Sequence, residues 1–206
     1  MLITMQNQFH FQIVEGRQKA QKWLSEYDKQ GKPMRQRVDT MAIREHGWQC
    51  ESQPKNLQKR MVEITAPPLR SQVVNGLNSG ADVFMADFDD AMSPTWPNIL
   101  GGHYNLRKAI KKNLRFYDSD KRKEYSVMDI NSQIFIQPRS LSREERHMLI
   151  DEVSISASLF DITTYAFNNW ENLKEKHGQS CYFYLPKIDF MEEAMLWNDI
   201  LTFLEQ

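Results

Sequence analysis

The sequence predicts a parallel α/β protein, and three observations carry that reading. Short apolar runs at 61–66, 83–87, 134–136 and 182–185 suit strands buried on both faces. Helical spacing of apolar residues fills the intervals, so strands and helices alternate. The second run, VFMADFDD, stops on Asp87, Asp89 and Asp90, and ligands bind at the carboxyl ends of parallel strands. By period-two alternation Asp87 and Asp89 project to one side and Asp90 to the other. Converging carboxylates can hold a hard divalent cation or its waters. On this stretch alone the plainer reading comes first: one of them caps a helix and the others are solvated.

Composition narrows the class. The chain has 206 residues, enough for one full-sized domain. A quarter of them are charged, yet the formal balance is only −1, so no nucleic-acid footprint is expected. The start, MLITMQNQFHFQ, has neither a basic nor an apolar signal region. No apolar run approaches the ~20 residues needed to span a bilayer. Cys50 and Cys181 form no CxxC pair and read as reduced, packed thiols. A soluble cytoplasmic protein is expected.

In chain order, 13–30 carries Val14, Ala20, Trp23, Leu24 and Tyr27 at helical spacing, stopped by Gly31 and Pro33. Residues 34–60 are irregular and polar and read as a wrapping segment. The strand at 61–66 is closed by Pro67-Pro68, and a helix with Val73, Val74 and Leu77 on its apolar face leads to the acid-tipped strand. This βαβ unit has ordinary length. Beyond Asp90, Pro94 and Pro97 bracket Trp96, and Gly101-Gly102 opens a loop before a helix over 105–113. Residues 114–127 form a solvated β-hairpin insert around Asp118-Ser119-Asp120-Lys121. The third strand runs into Gln137-Pro138-Arg139. A helix over 158–176 follows, its face made of Leu159, Ile162, Ala166, Trp170 and Leu173. The fourth strand stops at Pro186-Lys187, and Asp189 caps a last helix with Phe190, Ala194, Trp197, Leu201 and Leu204 along its face. Trp197, Leu201 and Leu204 are expected to lie uncovered. Four strands at this spacing are half of an eight-stranded barrel.

Five blocks in order resemble malate synthase, its shorter A isoform in particular: 62–65 (VEIT), 83–90 (VFMADFDD), 105–107 (NLR), 158–161 (SLFD) and 182–187 (YFYLPK). The resemblance implies a partial TIM (β/α)8 barrel, with 1–60 as a helical clasp and linker and 61–206 as the N-terminal half of the barrel. It implies a glyoxylate-cycle acyltransferase that condenses acetyl-CoA with glyoxylate to malate and CoA. In such an enzyme magnesium polarises the aldehyde, an aspartate takes the methyl proton and an arginine stabilises the enolate.

Matched position by position, this chain departs from that pattern. The family's Asp-Phe-Glu-Asp-Ser reads Asp87-Phe88-Asp89-Asp90-Ala91, with Asp87, Asp89 and Asp90 as outer-shell groups around the metal's waters. The family's Arg-x-Arg-Gly-x-His reads Gln137-Pro138-Arg139-Ser140-Leu141-Ser142, which puts Gln137 where the catalytic arginine stands. Arg139 keeps the second arginine and is the one candidate substitute. Lys187, at the tip of the fourth strand, faces the mouth or forms a rim salt bridge. The family's magnesium ligands and base fall after the fourth strand, so no metal ligand is assigned here. Weak or absent magnesium binding, an inactive isolated chain, and self-association or a complementing chain are expected. A non-catalytic remnant and half of a split enzyme are the two alternatives.

Overall fold

The computed structural model describes residues 1–31, 36 and 38–206. Pro33, expected to help end the first helix, lies outside the described residues. Four parallel strands form the central sheet: β1 (Glu63–Ala66), β2 (Val83–Asp87), β5 (Gln133–Gln137) and β8 (Tyr182–Phe183), in the order β1-β2-β5-β8. The helices α1 (Leu2–Lys29) and the short α2 (Met41–Glu45) precede β1; between the strands run α3 (Arg70–Leu77), α4 (Trp96–Ile110) and α5 (Ala157–His177), and α6 (Met191–Leu204) follows β8.

The register explains why the strands read as unbroken apolar runs. Ala66, Ala86, Ile136 and Phe183 are level across the sheet, and Phe84 and Ile134 flank them on the same face. That face packs under the helices with Val73, Val74, Leu77, Ile99 and Leu106 in the main apolar cluster. The opposite face carries Thr65, Met85, Phe135 and Tyr182 and is covered only in part, by residues 55–60. There Asn56 donates to Gln133 Oε1 and to the Tyr182 hydroxyl, both at 2.8 Å, and Arg60 lies over the Phe135 ring.

Several expectations are corrected. The Gly101-Gly102 pair sits inside α4, which starts at Trp96 with Pro97 in its first turn. A Cβ on Gly102 would meet Phe88 and Pro68 at 2.8 Å, so this glycine permits close packing rather than a turn. The first helix, α1 (Leu2–Lys29), begins well before residue 13, and its buried face is Met5, Phe9 and Ile13. Trp23 and Leu24 are exposed. On α5, Trp170 is also exposed, and Tyr165 and Asn169 are buried instead. A second hairpin, β6 (Glu144–Ile150) with β7 (Val153–Ser156), turns at Asp151-Glu152 and was not anticipated. The expected hairpin is β3 (Arg115–Asp118) with β4 (Lys123–Ser126); Phe116 stacks on Tyr125, and both pack on the main cluster.

The N-cap of α6 is Phe190, with no side-chain cap bond; Asp189 instead donates its backbone N–H to Glu193 at 2.8 Å. Nor is that helix left uncovered. Trp197 is 1% exposed, packed with Leu196 and Ile200 against Met5, Phe9 and Ile13 of α1 and Leu159 and Ile162 of α5. The first half of α1 therefore shares a core with α5 and α6.

Candidate functional site

The carboxyl ends of β2, β5 and β8 meet at one place. At the end of β2, Asp87 is buried, and its Oδ1 accepts the backbone N–H groups of Asp89 (2.8 Å) and Asp90 (3.0 Å). That turn ends the strand, so alternation stops at Asp87. Asp89 and Asp90 consequently converge instead of pointing to opposite sides. Asp89 accepts from the Ser140 N–H at 3.3 Å and from Lys187, while Asp90 accepts from Lys187 Nζ at 2.7 Å and from Gln137 Nε2 at 3.2 Å.

Lys187 thus forms the rim salt bridge that was one of its two readings. Its backbone is left-handed (φ 51°), which turns the side chain back across the sheet from β8 to β2. Its bonds to Asp89 and Asp90 hold its pKa above the usual lysine range. The Lys187 bond, with help from Gln137, in turn holds Asp90 below the usual carboxylate range.

Gln137 ends β5, level with Asp87, and is 5% exposed. Arg139, two residues on, points elsewhere. Its guanidinium forks onto Asp161 of α5 (Nε to Oδ2 2.9 Å, Nη2 to Oδ1 2.8 Å) and reaches Glu145 of β6 (Nη1 to Oε2 2.7 Å). Its backbone N–H also donates to Asp161 Oδ2 at 2.9 Å. His103 lies 3.4 Å from the other Asp161 oxygen, and His147, stacked on Trp96, lies 2.7 Å from Glu145. Burial pushes Asp161 and Glu145 up, but their hydrogen bonds and the Arg139 charge outweigh it, and both carboxyls sit below their usual range. Burial alone would lower Arg139; the two acids raise it. The sequence reading did not single out Asp161 and Glu145 as partners, although an aspartate on the apolar face of a helix was a signal for one.

Magnesium, implied by the resemblance, would have to take its oxygen ligands from these side chains. Asp87 spends one oxygen on two backbone donors, and both oxygens of Asp89 and of Asp90 are engaged. The ammonium of Lys187 lies between the last two. Magnesium demands near-octahedral oxygen ligation, and the three acids as arranged do not supply its inner shell.

Parallel βα units with a polar cluster at the strand ends define the class as a parallel α/β fold. Residues 133–206 match the family model for the malate synthase TIM barrel domain. The chain is 38% identical over 169 residues to malate synthase of Arabidopsis thaliana, covering 81% of this chain and 30% of that protein. It is 44% identical over 162 residues to malate synthase of Myxococcus xanthus (strain DK1622), covering 79% and 30%. It is 35% identical over 207 residues to glyoxysomal malate synthase of Ricinus communis, covering 98% and 36%. The likeness read from the five blocks is therefore shown: this chain is related to the malate synthases along most of its own length. It spans about a third of the length of these curated relatives. Among the described residues, no helix is long and apolar enough to cross a membrane.

Proposed function

We propose that the chain is a malate-synthase-type barrel segment whose family reaction condenses acetyl-CoA with glyoxylate, and that residues 1–206 alone do not turn that reaction over. The observation that carries the reading is Gln137, placed at the end of β5 and bonded to Asp90 where the family pattern has an arginine. An amide donates a hydrogen bond but brings no positive charge to a developing enolate, and charge-assisted bonds are roughly twice as strong. Arg139 does not replace it, because two buried carboxylates hold its guanidinium. Asp87, Asp89 and Asp90 act as outer-shell or structural groups, and magnesium binding is weak or absent. A cytoplasmic location rests on composition alone; the castor relative is described as glyoxysomal.

The same glutamine favours a second reading, a non-catalytic binding or interaction remnant. Half of a split enzyme, completed by another chain, is the remaining alternative. The test is thiol release from acetyl-CoA with glyoxylate and magnesium. Background rates are expected for purified 1–206, and turnover above a mock preparation overturns the proposal. Activity that appears only on adding a chain carrying the rest of a malate synthase barrel selects the split-enzyme reading.

A further inference from the structure

The carboxylate cluster at the end of β2 already holds a cation, and that cation is the protein's own. Lys187 Nζ takes one oxygen from each of two acids, Oδ2 of Asp89 and Oδ1 of Asp90, the second at 2.7 Å. The other two oxygens accept from neutral donors, the Ser140 N–H on Asp89 Oδ1 and Gln137 Nε2 on Asp90 Oδ2. The ammonium therefore sits at the point where the two carboxylates converge. Among the described residues it is the one cation bonded to either acid; the charge of Arg143 reaches Asp90 without a bond. The Asp89 side chain is 1% exposed, and Asp87, which accepts the Asp89 N–H, is buried too. Water does little to screen charges held in this way.

We propose that Lys187 is the built-in counter-cation of this cluster and keeps the end of β2 from taking a divalent cation. A hard divalent ion gathers carboxylate oxygens at about 2.0–2.6 Å around one centre. The two oxygens that converge here are the two the ammonium occupies, so ion and ammonium compete for one place. Charge sharpens that competition. With Lys187 present, an arriving dication meets a positive group between the acids. With a neutral residue at 187, two carboxylates face each other across an unfilled point, and a cation that joins them is favoured. The lysine can be removed without opening the core, because its side chain is 44% exposed and reaches in from β8, with β5 between β8 and β2. Resting on the reading above that magnesium binding is weak or absent, this assigns the cause to one side chain.

Free manganous ion, counted by electron paramagnetic resonance with the full chain and no substrate, provides the test. Carboxylate and water ligands suit manganese as they suit magnesium. Wild type and Lys187→Arg, which keeps the charge, are expected to bind the ion weakly and alike. Lys187→Met and Lys187→Ala are expected to bind one ion about tenfold or more tightly than wild type. Adding Asp89→Asn to Lys187→Met is expected to return binding to wild-type strength. Lys187→Met keeps most of the aliphatic stem, and circular dichroism checks that each variant is folded. Neutral variants that bind no better than wild type overturn the proposal. So does a Lys187→Met site that survives Asp89→Asn, because the ion then sits elsewhere. Tight binding by Lys187→Arg overturns it as well, because the charge is then not the cause. Each of these results leaves the malate synthase reading standing, since that reading is judged by thiol release.

Discussion

Four polar contacts converge on the buried Asp161 carboxylate, three of them from Arg139. Removing one member of such a set leaves an uncompensated charge inside the protein, at a cost of about 3–5 kcal/mol. Asp161→Ala is therefore expected to lower the unfolding free energy from chemical denaturation by that amount. The pH dependence follows from the direction of the shifts. Asp161 and Glu145 titrate lower when folded, so their stabilisation is complete above the ordinary carboxylate range of about 4. It is lost as pH falls through that range toward the folded values. Wild type should lose stability between pH 5 and 3 more steeply than Glu145→Gln, and parallel curves would refute the assignment. Lys187 is 44% exposed, and an ion pair so open to water contributes about 0–1 kcal/mol. Lys187→Ala should change stability by no more than that, yet increase hydrogen exchange around Tyr184, because β8 pairs over only two residues.

At the scale of elements, packing decided what periodicity could not. The strands at 83–87 and 133–137 were legible because one face is fully buried and the other, half-covered, still carries Met85 and Phe135, so neither strand alternates cleanly. The hairpin at 144–156 was not, because β6 is rich in charges and its one deeply buried charged residue, Glu145, is held by Arg139. In α1, Trp23 and Leu24 outweighed Met5, Phe9 and Ile13 by sheer size. Yet Met5, Phe9 and Ile13 recur at four-residue intervals, and they are the set that covers Trp197. Gly101-Gly102 resembled a break because close helix–strand approach leaves no local trace in a sequence. Gly102→Ala forces a methyl against Phe88 and Pro68 and should cost about 1–3 kcal/mol in thermal or denaturant unfolding. A neutral result would mean that α4 can shift away from β2. Phe9→Ala, which opens a cavity beneath α6, should cost about 3–5 kcal/mol by the same measurement.

For the whole molecule, the family could be read from five ordered blocks, and the carboxyl-end location of the site from where the acids fall. The wiring of that site could not. Whether Asp90 turned toward Asp89 depended on a turn after Asp87, and the direction of Arg139 depended on carboxylates of α5 and β6. In the proposed function, position 137 is where the family's charge is missing, Arg139 does not replace it, and one residue does not restore the set. Measuring malate and free thiol together for wild type and Gln137→Arg, at equal concentration with acetyl-CoA, glyoxylate and magnesium, tests this most directly. Background is expected for both, because members of a concerted catalytic set are not repaired one at a time. Stoichiometric malate and thiol from the wild-type chain would contradict it.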